Sequence, residues 1–329
     1  MAWTLAELSK IETDLLRKSV IDTLLWRANM LELVPWETIG QLSTGVVAIQ
    51  DLPSVGFRAL NAGYTESTGH LKHKTESVAL LGGDIDTDKA IARAKNTIAD
   101  ARALMQELML KAMAYHMNYV FIEGNPEANP TNYEFKGIRK RIDDLYTDGY
   151  TSQKFACPTT AGDGFLLSSG ESHKFIDGLY QLMYSMPEGK PDVLLMSQKC
   201  LLAANSALRR EKLLTTTQDI FGRWVDNFMG ARMIDMGVKA DQSTQIITDT
   251  ESTAGAVDGS GECTSIYAVK FGEGDMTWGI CEYPLEVEDL GQLETKPVYR
   301  TRVDFPCGLA TVDPRSLGRM YGIIPDASD

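Results

Sequence analysis

The sequence has few of the residues that carry out chemistry at an active site. It contains five cysteines, none of them in a C-x-x-C pair, and four histidines scattered over 329 residues. Disulfide frameworks and zinc sites need such residues in clusters with regular spacing, whereas an odd and scattered set fits reduced thiols that pack as small hydrophobic side chains. We therefore expect no disulfide framework, no metal site and no cofactor.

Long hydrophobic runs are also missing. No stretch approaches the roughly 18 apolar residues that a membrane-spanning helix requires, and the first residues show no basic leader followed by an apolar segment. The overall composition, 43% hydrophobic and 23% charged, is that of a globular protein with a sizeable core. We expect a soluble chain that makes no contact with a membrane and carries no secretory signal.

Positive charge is scarce in one long stretch. The net charge is −13, and residues 241–294 hold twelve acidic residues against a single base, Lys270. A sequence-specific nucleic-acid-binding protein usually has the opposite bias, so we interpret this stretch as a solvated acidic face. Three short basic clusters are predicted to be solvated or to form ion pairs between subunits: residues 136–141, 209–212 and 300–302.

The common catalytic and nucleotide-binding motifs are absent. The sequence contains no G-x-x-x-x-G-K-[ST], H-E-x-x-H or G-x-S-x-G. Asp84, Asp86 and Asp88 match the first positions of a calcium loop, but Lys89 and Lys95 stand where Gly and Glu are needed. We interpret these acids as favourable charges at the start of a helix. An enzyme with an unrecognised Cys–His or carboxylate site is one alternative function.

The first part of the chain alternates between helical and strand-like patterns. Apolar residues at spacings of three and four predict a helix over residues 4–33, which Val34-Pro35 should end because the residue before proline disfavours the α region. Short β-like runs with a polar middle then predict a long hairpin over residues 46–82. A lone two-stranded hairpin is marginal in water, so this one must rest on its own chain or on a neighbour.

One helix has the clearest periodicity in the sequence. Apolar residues recur at alternating spacings of three and four between positions 91 and 119, which predicts a helix about 44 Å long with a single apolar stripe. The stripe consists of Ile91, Ala94, Ile98, Ala101, Met105, Leu108, Ala112, Tyr115 and Tyr119. We expect this face to lie against a sheet.

The rest of the chain mixes helices and strands without a regular βαβ rhythm, which favours the α+β class. The patterns predict helices over 172–185 and 201–213, a strand over 191–197, a strand and turn over 231–247, a hairpin over 264–283, and strands over 297–305 and 309–312.

The order of these parts and the amino-acid sequences of several segments resemble a known family. An N-terminal arm, a long hairpin, a long helix, a mixed region and a late return strand follow one another, as in the major capsid proteins of tailed bacteriophages with the Hong Kong 97-type fold. The segments that carry the resemblance are LPSVGFRALNAGYTESTG (52–69), LLGGDIDTDK (80–89), FIEGNP (121–126), EFKGIRKRI (134–142), KPDVLLMSQK (190–199), FMGARMIDMG (228–237) and YRTRVDFPCGLATVDPRSLGRMYGI (299–323).

The resemblance implies a division of the chain into four parts. It predicts an N-terminal arm at 1–39, an extended loop at 40–88, a peripheral domain with a spine helix at 89–145 and 292–309, and an axial domain at 146–291 and 310–329. Because few residues precede the loop in this sequence, we expect any scaffolding protein to be a separate chain.

The resemblance also implies a structural role and no enzymatic one. Family members assemble through pentamers and hexamers into icosahedral heads that enclose double-stranded DNA, which they contact non-specifically. They assemble in the bacterial cytoplasm with a portal and, in some cases, a decoration protein, and they end in the virion. An encapsulin-type nanocompartment shell protein, which has the same fold, is a second alternative.

The predicted subunit interface lies on the extended loop. Its candidate residues are Pro53, Phe57, Arg58, Asn61, Tyr64 and Glu66. Phe57 and Tyr64 would be apolar anchors, Arg58 would pair with acids of another chain, and Pro53 would limit strand pairing along the edge. Lys72 and Lys74 occupy the region where some relatives form a covalent cross-link, but lysines at a polar hairpin tip are usually solvated, and we expect no cross-link here.

Overall fold

A computed structural model describes residues 29–92, 101–128, 130–158, 165–166, 172–186, 189–218, 224–255 and 261–325. Most of the helix predicted for residues 4–33 lies outside these ranges. Its described end, α1 (Asn29–Leu33), stops just before Val34-Pro35, as expected. No helix in the described ranges has the length and hydrophobicity needed to cross a membrane.

The described part of the chain has an α+β architecture. The remaining helices are α2 (Lys89–Ala92), α3 (Ala101–Glu123), α4 (Ile138–Thr147), α5 (Ser172–Tyr184) and α6 (Gln198–Arg210). The strands are β1 (Trp36–Thr38), β2 (Ser43–Asp51), β3 (His70–Ser77), β4 (Ala79–Asp88), β5 (Lys154–Ala156), β6 (Phe165–Leu166), β7 (Val193–Met196), β8 (Thr215–Gln218), β9 (Trp224–Phe228), β10 (Ala231–Asp235), β11 (Thr264–Val269), β12 (Thr277–Cys281), β13 (Glu286–Gln292), β14 (Val298–Thr311) and β15 (Leu317–Ile324).

Strand β14 organises the first sheet. It pairs antiparallel with β4 along one edge and with β13 and then β12 along the other, and β1 pairs with β12. The prediction of two separate strands over 297–305 and 309–312 is wrong, because one strand runs through Pro306. Pro306 sits where the second edge passes from β13 to β12, so no ladder partner on that edge needs its missing N–H group.

The second sheet has the order β5-β15-β11-β7-β10-β9-β8, with β6 also beside β15. The predicted hairpin over 264–283 is wrong, because β11 lies between β15 and β7 whereas β12 belongs to the first sheet. Every residue of both strands is buried. Because the two strands belong to different sheets, the intervening residues 270–276 form a crossing between the sheets.

Two hydrophobic clusters fill the interior. Strand β7 contributes to both, because Val193 and Leu195 face the cluster that includes α3 and the first sheet, whereas Leu194 and Met196 face the cluster under α5 and α6. All four side chains are buried. This alternation explains why β7 has a continuous apolar sequence.

Helix α3 was predicted correctly over its described length, but its buried face was not. Leu110, Met117 and Phe121 are buried in the core, whereas Met105 and Leu108 from the predicted stripe are 48% and 51% exposed. The segment ALMQELMLKAMAYHMNYVFI has apolar residues on both faces, so periodicity alone could not select the one that packs. The outward face therefore remains apolar and uncovered in the single chain.

The predicted hairpin exists but is shorter than expected. Strands β2 and β3 pair antiparallel from Ser43↔Ser77 to Asp51↔His70, whereas residues 79–88 form β4 of the first sheet. Among the residues of β2 and β3 whose burial the structure describes, Val46 alone is buried. The hairpin thus leaves the body of the molecule at its base and gains little packing beyond that point.

Candidate assembly interface

Residues 52–69, which connect β2 to β3, are exposed without exception and are called the loop below. Its apolar side chains have almost no covering: Val55 is 94% exposed, Leu60 is 92% exposed, and Phe57 is fully exposed. All six predicted interface residues lie on this loop. Apolar side chains collected on one segment mark a surface that another molecule covers.

The loop has internal order despite its exposure. Ser54 N donates to Ser67 Oγ (2.8 Å), which joins the two sides of the loop. Arg58 Nη1 donates to the carbonyl oxygen of Ala62 (3.0 Å), and its guanidinium lies 5.1 Å from the ring centroid of Tyr64. Asn61 has a φ of 66°, a left-handed conformation that asparagine tolerates. These contacts hold Arg58 and Tyr64 together as one exposed unit.

The base of the hairpin rests on a small apolar cluster. Val46 packs with Trp278, Ile280 and Ala310 of the first sheet. Trp278 Nε1 also donates to the carboxylate of Glu37 (2.8 Å), which fixes the indole. This cluster supports only the first residues of the hairpin.

An arginine of α4 binds the base of the hairpin at Glu76, which pairs with Thr44 and lies nearer the body than Val46. Arg141 Nη1 and Nη2 donate to the two carboxylate oxygens of Glu76 on β3, at 2.6 and 2.8 Å. Arg141 also donates from Nη2 to the carbonyl oxygen of Leu309 (2.5 Å) and from Nε to that of Lys136 (3.0 Å). The paired side chains are only 7% and 13% exposed, so a desolvated, bidentate ion pair joins the hairpin to the body.

A polar cleft of about 480 Å³ separates the hairpin from α4. Lys72 Nζ bridges it to Asp148 at 3.4 Å, but both side chains are about half exposed. Lys74 also lines the cleft, and its pKa is lowered by burial and by the neighbouring charge of Lys72. An exposed ion pair of this kind contributes little to stability.

The basic residues of 300–302 and the acids of 84–86 form an ionic ladder within one chain. Arg300 donates two hydrogen bonds to Asp86 (2.7 and 2.8 Å), and Arg302 donates two to Asp84 (2.7 and 3.1 Å). These bonds lower the pKa values of both aspartates. The prediction that these acids serve a helix start is wrong for Asp84 and Asp86, because β4 extends to Asp88.

The cluster at 136–141 is likewise paired within the chain. Lys136 and Lys140 each contact Glu127 (2.7 Å) and Asp144. Hydrogen bonds from the two lysines lower the pKa of Glu127 to about 2. At 209–212, by contrast, neither Arg209 nor Lys212 has an ion-pair partner among the residues that the structure describes.

The acidic stretch 241–294 is not uniformly solvated as predicted, because Glu251 is buried. Its carboxylate accepts a hydrogen bond from Arg319 Nη2 (3.0 Å) and a short one from the hydroxyl of Ser265. Arg319 is itself fully buried and also donates to the carbonyl oxygen of Gly255 (2.6 Å). Burial raises the pKa of Glu251, while Arg319 and Ser265 act in the opposite direction. The pair fastens the 251–255 segment to the second sheet.

The cysteines and the other potential metal ligands of the described residues do not gather into a group that could hold a metal ion. All five cysteines are unpaired and buried, and burial raises the pKa of Cys157 to about 12. Within the described ranges, no three residues among His, Cys, Asp and Glu converge as metal ligands would. The organised features on the surface are the loop, its anchor at Glu76 and Arg141, and the outward face of α3.

Sequence reasoning missed both anchor residues. Arg141 was noticed only as a member of a basic cluster, and Glu76 was not singled out at all. Sixty-five positions separate the two residues. A local sequence pattern does not predict a contact between residues so far apart. Covariation among related sequences is the signal that would have predicted it.

Comparison with known proteins gives a family match over part of the chain and a shared fold over nearly all of it. Residues 13–164, a little under half of the chain, match the profile of the family Major capsid protein GP7. No curated protein matches the chain in sequence.

Solved structures share the fold across nearly the whole chain. An encapsulin from Synechococcus elongatus aligns with a TM-score of 0.62 at 14% identity, covering 91% of this chain and 89% of its own. The capsid of a native GTA particle aligns with a TM-score of 0.56 at 13% identity, covering 92% and 90%. A chain from Mycobacterium phage Bobi aligns with a TM-score of 0.55 at 12% identity, covering 93% and 91%.

The expectation on fold class is therefore confirmed. The exposed loop, the position of helix α3 beside the first sheet and the partial family match agree with one another. The chain has the fold shared by these phage-type capsid and encapsulin structures, and residues 13–164 resemble the family Major capsid protein GP7.

Proposed function

We propose that copies of this chain assemble through pentamers and hexamers into an icosahedral head that encloses double-stranded DNA, and that the loop of each copy lies on a neighbour. The observation that carries this proposal is the exposure of the loop, in which Val55, Phe57 and Leu60 have no covering within their own chain. A soluble single chain gains nothing from such a segment, whereas a shell subunit uses it as a contact.

The energetics favour many modest contacts over one strong one. Burying a large apolar side chain stabilises an interface by about 1.5–3 kcal/mol, and association itself costs several kcal/mol. One loop therefore gives a weak contact. In a closed shell every copy both offers a loop and receives one, so the contacts reinforce one another.

The outward face of α3 is the surface we assign as the receiver of the loop. Leu104, Met105 and Leu108 are each about half exposed on consecutive turns. The face is apolar like the loop, and both surfaces repeat on every copy, as a head-to-tail contact requires. Glu107 and Lys111 on the same helix offer charges to loop residues Arg58 and Glu66.

The other partners follow from this role. We propose that a separate scaffolding protein, a portal and, in some assemblies, a decoration protein accompany the shell, which forms in the bacterial cytoplasm and ends in the virion. DNA would be contacted without sequence preference. The role is mechanical, and we propose no catalytic residue.

A second candidate is a nanocompartment shell with protein cargo. It is favoured by the likeness to the Synechococcus elongatus encapsulin, at a TM-score of 0.62. The phage-capsid family match supports the first candidate instead. The content of purified particles separates the two, since nuclease-protected DNA belongs only to a phage head.

The experiment compares particle formation by the wild-type chain and by a loop variant, V55S/F57S. The variant should keep the unfolding midpoint of the free subunit, because both side chains are already exposed, yet should give far fewer particles on electron micrographs. Leu202→Ser is the matched control, since Leu202 is a 62% exposed leucine on α6. Normal particle yield from V55S/F57S would contradict the assignment of the loop as an interface.

A further inference from the structure

The direction of the hairpin is set by very few contacts. Beyond Val46, the strands β2 and β3 are exposed or half-buried wherever their burial is described. The cleft on the side of α4 is lined by charged and polar groups rather than filled by apolar ones. Apolar packing therefore holds the hairpin only at Val46 and gives the rest of its length no apolar support.

Two ion pairs span that cleft, and they differ in strength. Lys72–Asp148 is 3.4 Å long with both side chains about half exposed. Arg141–Glu76 is bidentate at 2.6 and 2.8 Å with both side chains nearly buried. Because solvent screens the first pair and not the second, the Arg141–Glu76 pair dominates.

Arg141 is well suited to act as a fixed point. Its Nε and Nη2 donate to the carbonyl oxygens of Lys136 and Leu309, which belong to the α4 region and to β14. These bonds hold the guanidinium in place independently of Glu76. The hairpin is then the movable partner, and the carboxylate of Glu76 is what joins it to this fixed point.

The hairpin also acts as a lever. From Glu76 to the end of β3 at His70 the strand extends about 20 Å, at about 3.4 Å per residue, and the loop reaches further. A tilt of about 10° at the base therefore moves the start of the loop by about 3–4 Å, which exceeds what a packed interface tolerates.

We propose that Arg141 is the positioning residue that fixes the direction of the hairpin through Glu76, and that this direction selects the curvature at which copies join. The inference rests on the proposed assembly function and deepens it. The loop supplies contact with the neighbour, while the Arg141–Glu76 pair decides where that contact falls.

The test uses Glu76→Gln, which keeps the shape of the side chain and removes its charge, with Asp148→Asn as the matched control at the exposed pair. The full chain is expressed together with its neighbouring genes, so that any scaffolding protein is present. Two quantities are measured: hydrogen exchange of residues 43–77 in the free subunit, and the distribution of particle diameters on electron micrographs.

We expect Glu76→Gln to accelerate exchange in the hairpin by about tenfold and to give particles of mixed diameter or open sheets. Asp148→Asn should match the wild type in both measurements. Glu76→Asp, which keeps the charge but is too short for both hydrogen bonds, serves if Glu76→Gln fails to fold, and should broaden the diameters similarly.

A wild-type diameter distribution in a folded Glu76 variant would overturn the proposal. That result differs from failure of the proposed function, in which the wild-type chain itself forms no particle. Even in that case, unchanged exchange in residues 43–77 would show that the pair does not hold the hairpin.

Discussion

The strands of the second sheet and those of the hairpin are stabilised in opposite ways. Strands β7 and β11 are buried on both faces and bonded on both edges. Strands β2 and β3 bond only to each other and have Val46 as their one buried anchor among the residues whose burial is described. The sheet derives its stability from its own chain, whereas the hairpin depends on a charged pair at its base and, in our account, on a neighbour.

The difference shows where substitutions should act. Changes in the sheet or under α3 should lower the free energy of unfolding of the subunit itself. Changes on the loop or the outward face of α3 should leave the subunit intact and alter assembly. The predictions below run from the largest expected effect on the subunit to the smallest.

Arg319→Met should destabilise the subunit most. It removes the buried partner of Glu251 and leaves a carboxylate without its closest counter-charge, which typically costs about 3–5 kcal/mol. Denaturant unfolding of the free subunit measures the loss. The double variant E251Q/R319M should recover at least half of it, because it also removes the carboxylate charge that has lost its closest partner, and no recovery would contradict the role of the pair.

The two faces of α3 give a matched comparison of one residue type on one helix. Met117 is 1% exposed and packs in the core, whereas Met105 is 48% exposed. Met117→Ala should cost about 2–5 kcal/mol in unfolding free energy, and Met105→Ala should stay within about 0.5 kcal/mol. Equal losses for both variants would mean that the outward face is not free.

Met105→Ala should nevertheless reduce particle formation, because we assign Met105 to the surface that receives the loop. Sedimentation of assembled particles measures this effect.

The surface carboxylates should have the smallest effect, and only in acid. Because their arginine partners lower the pKa values of Asp84 and Asp86, their contribution is complete above the ordinary aspartate pKa and is lost as pH falls through the lowered values. Unfolding midpoints measured from pH 7 down to pH 2 should therefore fall less steeply for D84N/D86N than for the wild type.

High salt should remove most of that difference, since it screens exposed charges. Parallel curves at low salt would show that the ladder does not contribute.

The sequence was informative where burial dictates pattern. The continuous apolar run at β7 and the helix over α5 were predicted because their packing determines their residues locally. Predictions failed where a choice depended on distant partners: β11 and β12 looked like a hairpin although each completes a different sheet, and α3 has apolar residues on two faces. The Arg141–Glu76 pair could not be predicted from a local pattern, because the two residues are 65 positions apart in the sequence.

The exposed loop was predicted from the sequence, whereas the exposed face of α3 was not. A run of exposed loop residues containing Phe57 and Tyr64 was recognised from its lack of catalytic groups and from family resemblance. The outward face of α3 was mistaken for the buried face, because the helix has apolar residues on both faces and periodicity does not choose between them.

The most direct test is a cryo-electron microscopy map of the assembled particle at a resolution that shows side chains. The account predicts that each loop lies across the adjacent copy, with Phe57 and Leu60 against the outward face of its α3. Loops that fold back onto their own chain, or an α3 face that remains in solvent in the closed shell, would contradict it.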